Sequence, residues 1–171
     1  DFAEDRRRVA LELGADYALA PDAHFVEAVR ELTEGRMIQA NVEVTGSSAA
    51  LLQSLQVAAR GGRIALTGCT RVSDVPIDFY TLVHKPGVQL IGAHNHVRPA
   101  ADSYWGYWTR HDDFAAMLRM MRMGKMRVRP MISGVFAPEQ APEVFRELGE
   151  NACVPLGRAF DWHKSDGRET I

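Results

Sequence analysis

The chain has 171 residues, of which 46% are hydrophobic, enough for one large domain or for one domain with part of a second. Its formal net charge of −2 gives no electrostatic reason to expect a nucleic acid or an anionic membrane as a partner. No run approaches the roughly 20 apolar residues that span a bilayer, no secretory signal opens the chain, and two cysteines fit a reducing cytoplasm better than a disulfide framework.

The first two-thirds of the chain alternate helical and strand patterns. The sequence begins directly ahead of a helical pattern, so we expect it to be a piece of a longer protein. Strands separated by helices pair in parallel through right-handed crossovers, which predicts a doubly wound α/β sheet. The predicted elements are a helix over 4–13 stopped by Gly14, a strand at 17–19, a helix from Pro21 to Leu32, a strand over 38–44, a helix from Ser47 or Ser48 to Gly61-Gly62, a strand over 63–67, a short helix near 79–84 and a strand over 87–93.

The last third of the chain has a different character. Residues 94–110 are rich in His, Pro, Trp and Tyr and show no clear period. The elements predicted after them are a helix containing Phe114, Met117, Leu118 and Met121 and closed by Gly124, a strand over 130–136, a helix containing Ala141, Val144 and Leu148, a strand over 156–162 and a polar tail.

The residues that follow the predicted strands are the first candidates for a ligand site, because open parallel sheets bind ligands beyond the carboxyl ends of their strands. Gly46 and Gly68 are the most informative, since a residue without Cβ lets the backbone approach a ligand closely. A simple chain turn explains both glycines equally well. Asp1 precedes a helix and could hold the ribose of a dinucleotide or merely cap that helix.

Taken in order, these motifs resemble the zinc-type medium-chain dehydrogenases, which include alcohol, sorbitol and threonine dehydrogenases. The similarity extends from Asp1 to about Trp162. The motifs that carry it are Asp1…Arg6…Leu13-Gly14-Ala15-Asp16, Val42-Glu43-Val44-Thr45-Gly46, Gly61-Gly62-Arg63…Thr67-Gly68, Gly87-Val88-Gln89-Leu90-Ile91-Gly92, Gly124-Lys125…Val128…Pro130-Met131-Ile132-Ser133 and Ala141-Pro142-Glu143-Val144-Phe145.

The resemblance implies an α/β, Rossmann-type doubly wound parallel sheet that lacks its first β-α unit, plus a partial second segment of the catalytic domain. The implied domains are an NAD-binding domain over 1–110, a helix and return segment over 111–162, and a polar tail over 163–171. The implied cofactor-binding residues are Asp1 at the adenosine ribose, Arg6 beside the adenine, Val44, Gly46, Thr67 and Gly68 along the groove, His94 and Asn95 at the nicotinamide carboxamide, and Arg158 near the phosphates.

The resemblance also implies a reaction, namely hydride transfer between the carbon of an alcohol or polyol and NAD, with zinc polarising the oxygen. The family keeps its catalytic zinc ligands, its four-cysteine lobe and its proton relay in its N-terminal half, and they are absent from this sequence. We therefore expect no catalytic or metal-binding residue in this sequence and no activity from this chain alone. We expect the parent enzyme to be cytoplasmic.

Three alternatives remain open from the sequence. His94 and His96, with Cys69 nearby, could bind zinc, although no third ligand is fixed by local spacing. The aromatic run over 104–108 could shape a substrate pocket or could pack over the sheet edge. The chain could also be a non-catalytic nucleotide-binding or dimerisation module, because the family pairs the strand at 87–93 with its copy in a second subunit to form a homo-oligomer.

Overall fold

The computed structural model describes residues 1–69, 71–150 and 156–164. Contacts group residues 21–114 into one compact unit, and residues 1–20 with those from 115 onward into another. The predicted domain boundary near residue 110 stays a prediction. Cys153 and the predicted tail beyond Lys164 lie outside the described residues.

The unit over 21–114 is built on a parallel sheet of three strands, β1 (Ile38–Glu43), β2 (Ala58–Leu66) and β3 (Gln89–Gly92), in that spatial order. Helix α2 (Phe25–Leu32) precedes β1, and helix α3 (Ser48–Gln56) connects β1 to β2. A π-helical turn (Tyr80–His84) precedes β3, as predicted for a short helix at 79–84. Parallel pairing of strands joined by helices confirms the α/β class.

The core of this unit lies between α3 and the sheet. Leu55 of α3 packs with Ile64 of β2 and with Val88, the residue that precedes β3. Ile64 is fully buried because it sits in the central strand and is covered by neighbours on every side. Burying side chains of this size stabilises the fold by about 1.5–3 kcal/mol each relative to exposing them. The hydrophobic spacing in the sequence thus predicted the buried face of α3.

The pair Gly61-Gly62 does not end a helix, so that prediction is wrong. α3 ends at Gln56, and both glycines lie inside β2. There the register with β1 shifts, and Gly61 has a φ of +67°. A Cβ on Gly62 would lie 2.8 Å from the carbonyl oxygen of Ala59. Glycine serves equally as a helix stop and as a bulge residue, and only the neighbouring strand distinguishes the two uses.

The second unit contains helix α1 (Glu4–Glu12), the parallel strand pair β4 (Ile132–Phe136) and β5 (Gly157–Phe160), and helix α5 (Ala141–Glu150). Helix α4 (Arg110–Arg122) begins in the first unit and continues into this one. Arg127 donates from Nη2 to the carbonyl oxygen of Glu12 at 2.6 Å, which ties α1 to the segment before β4. These elements match the predicted helices at 4–13, 114–124 and 141–148.

Residues 17–19 are not a strand, contrary to the prediction. The backbone nitrogen of Asp1 donates to the carbonyl oxygen of Leu19 at 3.0 Å. Among the described residues, this is the one backbone hydrogen bond that joins residues 17–19 to a neighbouring segment. A strand requires a ladder of such bonds with a neighbour, and one bond cannot fix the backbone of three residues.

Candidate functional site

The carboxyl ends of β1, β2 and β3 lie at one edge of the sheet. Glu43 is opposite Leu66, and Leu66 is opposite Gly92, so the three strands end in register. The residues that follow them, Val44–Gly46, Thr67–Cys69 and His94-Asn95, therefore leave the sheet at the same edge, as the sequence predicted for six of its candidate residues.

Glu43, the last residue of β1, holds the turn that follows it. Its side chain is 3% exposed, and its Oε1 accepts hydrogen bonds from the backbone amide of Thr45 at 2.7 Å and from the Thr45 hydroxyl. The amide of Gly46 lies 3.3 Å from Oε1 and 3.4 Å from Oε2. A buried carboxylate thus satisfies two backbone donors, which fixes the path of the chain between β1 and α3.

Glu43 also joins the ends of β1 and β2 through its backbone. Its carbonyl oxygen accepts hydrogen bonds from the amides of Thr67 and Gly68, both at 2.9 Å. The same residue therefore fixes the turns after two adjacent strands. The sequence analysis quoted Glu43 within a motif but gave it no role. A charged residue between the valines at 42 and 44, at the end of a predicted strand, was the signal that could have identified it.

Gly68 and Gly46 approach each other too closely to tolerate side chains. A Cβ on Gly68 would lie 2.3 Å from the amide nitrogen of Gly46 and 2.8 Å from Oε2 of Glu43, whereas real Cβ contacts essentially never fall below 3.0 Å. Gly46 has a φ of +71°, and a Cβ there would lie 3.0 Å from the backbone of Cys69. Both positions require glycine for backbone reasons. The turns after β1 and β2 therefore pack against each other backbone to backbone, with the Glu43 carboxylate beside them.

The remaining candidates of this unit surround that edge. Val44 is 65% exposed, and Ile91 of β3 is 45% exposed. His94 accepts a hydrogen bond at Nδ1 from the amide of His96 at 3.2 Å, and this bond closes a short helical turn, Asn95–Val97. His94 and Asn95 are both exposed at the end of β3.

Asp1 and Arg6 are brought together in the second unit. The Asp1 carboxylate accepts a hydrogen bond from the amide of Ala3 at 3.0 Å and lies 3.7 Å from the Arg6 guanidinium. The two predicted adenosine-side residues are thus neighbours, and the Asp1 carboxylate also binds the backbone at the start of α1. Its use as a helix-start residue and as a ribose ligand both remain compatible with this geometry.

Arg158 of β5 is engaged by neighbours in its own unit. Its Nη2 lies 2.9 Å from the carboxylate of Glu147, and its guanidinium carbon lies 5.0 Å from the centre of the Phe136 ring. The side chain is 15% exposed. An ion pair and a cation–π contact give Arg158 a structural role in joining β5 to α5 and β4. Its predicted contact with cofactor phosphates remains a prediction.

The zinc alternative gains no third ligand. The rings of His94 and His96 meet edge to face at 4.7 Å, and Cys69 is exposed with a free thiol. Within residues 1–69, 71–150 and 156–164, no group of three or more His, Cys, Asp or Glu side chains could hold a metal ion. A zinc site needs at least three protein ligands, so the described residues do not fit this metal.

The aromatic run over 104–108 forms an exposed turn. Tyr104 and Tyr107 exchange backbone hydrogen bonds at 3.0 and 2.9 Å around Gly106, whose φ is +82°. Trp105 is 98% exposed and Trp108 is 55% exposed. Side chains this exposed give no support to packing over the sheet edge, one of the two alternatives that the sequence left open. No helix of the described part of the chain is long and apolar enough to cross a membrane.

Comparison with known proteins gives a consistent result. A family model described as zinc-binding dehydrogenase matches residues 1–122. An L-threonine 3-dehydrogenase of Pyrococcus furiosus is 28% identical over 149 residues, which cover 84% of this chain and 39% of that protein. An NAD-dependent alcohol dehydrogenase of Sulfolobus acidocaldarius is 28% identical over 148 residues, which cover 86% of this chain and 38% of that protein. This chain therefore spans well under half the length of these relatives.

Solved structures show the same fold. A crystal structure of an NAD-dependent alcohol dehydrogenase matches 93% of this chain and 41% of its own, with a TM-score of 0.70 and 24% identity. A zinc-binding dehydrogenase of Clostridium scindens matches 96% of this chain and 42% of its own, with a TM-score of 0.72 and 22% identity. These matches confirm the predicted Rossmann-type α/β fold.

Proposed function

This chain belongs to the zinc-binding dehydrogenase family, and from that membership we propose that it is the C-terminal part of an NAD- and zinc-dependent alcohol or polyol dehydrogenase. The observation that carries the proposal is the shared strand-end edge, where the turns at Gly46 and Gly68 pack together and are held by Glu43. Open parallel sheets bind ligands beyond the carboxyl ends of their strands, so the fixed path of these two turns shapes the place where a cofactor would lie.

The residues at this edge bind and orient the cofactor in the proposed enzyme. Val44, Gly46, Thr67 and Gly68 line the groove, while His94 and Asn95 lie where the nicotinamide carboxamide would meet the backbone after β3. The family resemblance assigns Asp1, Arg6 and Arg158 to the adenosine and phosphate portions, and these roles stay predictions. When bound, NAD supplies the carbon that accepts a hydride from the alcohol. The described residues offer no zinc site, and the resemblance assigns the zinc ligands to the N-terminal half of the family, so we expect no turnover from this chain alone.

The names of the relatives point to small alcohols, threonine among them, as substrates of the parent enzyme. We place that enzyme in the cytoplasm, because a chain with two cysteines, of which Cys69 is a free and exposed thiol, fits a reducing compartment.

Titration of the chain with NAD by isothermal calorimetry tests the proposal. We expect binding at millimolar concentration or tighter, and loss of binding in Gly68→Ala. The matched control is Gly92→Ala in β3, where a Cβ would meet nothing within 4 Å, so binding should be retained. Equal affinity in the two variants, or no heat from the unmodified chain, would contradict the cofactor groove. Circular dichroism checks that Gly68→Ala still folds.

A second variant keeps the test informative if Gly68→Ala unfolds. Val44 is 65% exposed, so Val44→Asp should not disturb packing. The new carboxylate would repel the phosphates of NAD, and we expect the dissociation constant to rise at least threefold at low salt. The effect should shrink in 0.5 M salt, because exposed charges are screened there. An unchanged dissociation constant at low salt counts against a groove at Val44.

The second candidate function is a dimerisation module that binds no nucleotide. Its support is the position of β3 at one edge of the sheet, with Ile91 45% exposed. Val88 is buried and Leu90 packs against the core, so of the three apolar residues at 88, 90 and 91, Ile91 is the one left for a partner. A stable dimer with no NAD binding would favour this module over the cofactor groove. We also propose that the parent enzyme forms a homo-oligomer through this strand.

A further inference from the structure

A cavity of about 780 Å³ lies within the segment that links β3 to α4. One part of its wall is apolar and includes Pro99, Ala100 and Phe114. The polar part of the wall carries two arginines and two histidines. These four side chains come from both ends of the segment: His96, Arg98, Arg110 and His111.

Two acidic side chains near the cavity have partners within the same region. Asp113 forms an ion pair with Arg98 at 3.1 Å. The Asp112 carboxylate accepts hydrogen bonds from the hydroxyls of Ser103 and Thr109, and these bonds hold the pKa of Asp112 below its usual range. No carboxylate is among the residues that line the cavity. Arg110 lines the cavity together with His96 and His111, and no ion pair among the described residues involves Arg110.

Thr109 and Asp112 cap the start of α4. The Asp112 amide donates to the Thr109 hydroxyl at 3.2 Å, and the Asp112 carboxylate lies 3.3 Å from the Thr109 amide. These bonds occupy the amides of Thr109 and Asp112, and the arginine side chains remain as donors for a ligand in the cavity. Guanidinium groups present paired N–H donors that match the oxygens of a carboxylate or a phosphate.

Asn95 connects this cavity to the proposed cofactor groove. It lines the cavity and also follows β3 at the strand edge that carries Gly46 and Gly68. A ligand in the cavity would therefore lie next to the position proposed for the nicotinamide. We propose that this cavity binds the anionic group of the substrate, so that the alcohol oxidised by the parent enzyme carries a carboxylate or a phosphate. Binding of the anion follows from the cavity alone, and its identity as substrate rests on the proposed function.

Titration with inorganic phosphate and with acetate at constant ionic strength tests the pocket. Chemical shifts of the backbone amides at 95–98 and 109–111 report binding at the cavity. We expect saturable changes at millimolar concentration. The preferred probe distinguishes a phosphate-bearing from a carboxylate-bearing ligand. Absence of saturable shifts with both probes overturns the proposal.

The variant Arg110→Gln/His111→Asn removes one exposed arginine and one exposed histidine without touching the Arg98–Asp113 pair. We expect the dissociation constant of the preferred anion to rise at least fivefold. The matched control is His24→Asn/Arg30→Gln, which removes one exposed histidine and one exposed arginine from the region of α2. An equal loss of affinity in the control would mean general surface attraction and would overturn the pocket.

NAD titration of the same variants separates this proposal from the proposed function. Arg110 and His111 are not among the proposed cofactor contacts, so NAD affinity should stay within twofold in Arg110→Gln/His111→Asn. If no variant binds NAD but the anion still binds at the cavity, the proposed function fails and the anion pocket stands. If phosphate displaces NAD competitively, the cavity receives the cofactor phosphates, and the substrate assignment is overturned.

Discussion

Replacing Glu43 is the sharpest perturbation that the structure offers. Glu43→Ala removes the acceptors of the Thr45 amide at 2.7 Å and of the Gly46 amide at 3.3 Å. A hydrogen bond to a charged group contributes about 1.5–3 kcal/mol, and the short Thr45 bond should approach this value. The longer Gly46 bond should contribute less, since its length exceeds the usual range for N–H···O bonds.

An opposing effect reduces this cost. Glu43 is 3% exposed, so the folded chain pays to desolvate its carboxylate, and alanine removes that penalty. Thr45 is exposed, so water can replace part of what its amide and hydroxyl lose. The lost hydrogen bonds should still outweigh the relief of desolvation, because alanine adds a further cost by leaving a cavity where the carboxylate was. We expect a net loss of about 2–3 kcal/mol in the free energy of unfolding.

Urea denaturation followed by circular dichroism measures this loss, with Glu27→Ala as the matched control. Glu27 lies in α2 with a side chain 60% exposed and pairs with Arg30 at 3.8 Å. Exposed pairs of this kind contribute about 0–1 kcal/mol. Glu43→Gln keeps one acceptor oxygen and should fall between the two alanine variants. If Glu43→Ala costs no more than Glu27→Ala, the carboxylate does not hold the turn.

Amide hydrogen exchange gives a residue-level check on the same reasoning. The Thr45 amide bonds to the side chain of Glu43, whereas the Thr67 and Gly68 amides bond to its backbone carbonyl oxygen. In Glu43→Ala, protection of the Thr45 amide should therefore fall more than that of Thr67 and Gly68. Uniform loss of protection at all three amides would indicate general unfolding and would refute a specific effect on the turn.

Three further outcomes follow from the structure. The pKa of Asp112 is lowered, first by the hydrogen bond from the Ser103 hydroxyl. The ionised carboxylate therefore stabilises the fold at pH values above its unfolded pKa of about 3.8, and this stabilisation is lost as the pH falls through the lower pKa of the folded state. The midpoint of urea unfolding should fall in acid, and it should fall less in Asp112→Asn. Ile91→Lys should shift any dimer to monomer in sedimentation velocity, and an unchanged dimer would move the interface elsewhere. Gly62→Ala should cost about 1–3 kcal/mol by thermal melting, because its Cβ would lie 2.8 Å from the Ala59 oxygen, whereas no change would mean that the bulge relaxes.

The fold class and the strand-end edge could be read from the sequence. Hydrophobic spacing located α2, α3, α4 and α5, and the alternation of strands with helices required parallel pairing. The glycines at 46 and 68 were singled out because they follow strands, and the structure shows that both positions exclude a Cβ. These features are local in the chain, or follow from general rules of connection, so one sequence was enough to predict them.

Other features depended on partners distant in the sequence. Gly61-Gly62 looked like a helix stop, but pairing with β1 makes it a bulge within β2. The segment at 17–19 has strand-like side chains, but a strand also needs a ladder of backbone bonds, and one such bond is recorded there. Hydrogen-bonding neighbours decide whether a glycine ends a helix or forms a bulge, and whether an apolar triplet forms a strand. The sequence does not give the positions of these neighbours.

By itself, the sequence determined the family, most of the order of the elements and the edge of the sheet where the strand-end residues gather. Only the tertiary structure decided that Glu43 turns its carboxylate back onto Thr45 and Gly46, and that His96, Arg98, Arg110 and His111 share one cavity. The first set depends on periodicity and spacing along the chain. The second depends on where side chains meet after the chain folds, because contact and burial are properties of three-dimensional packing.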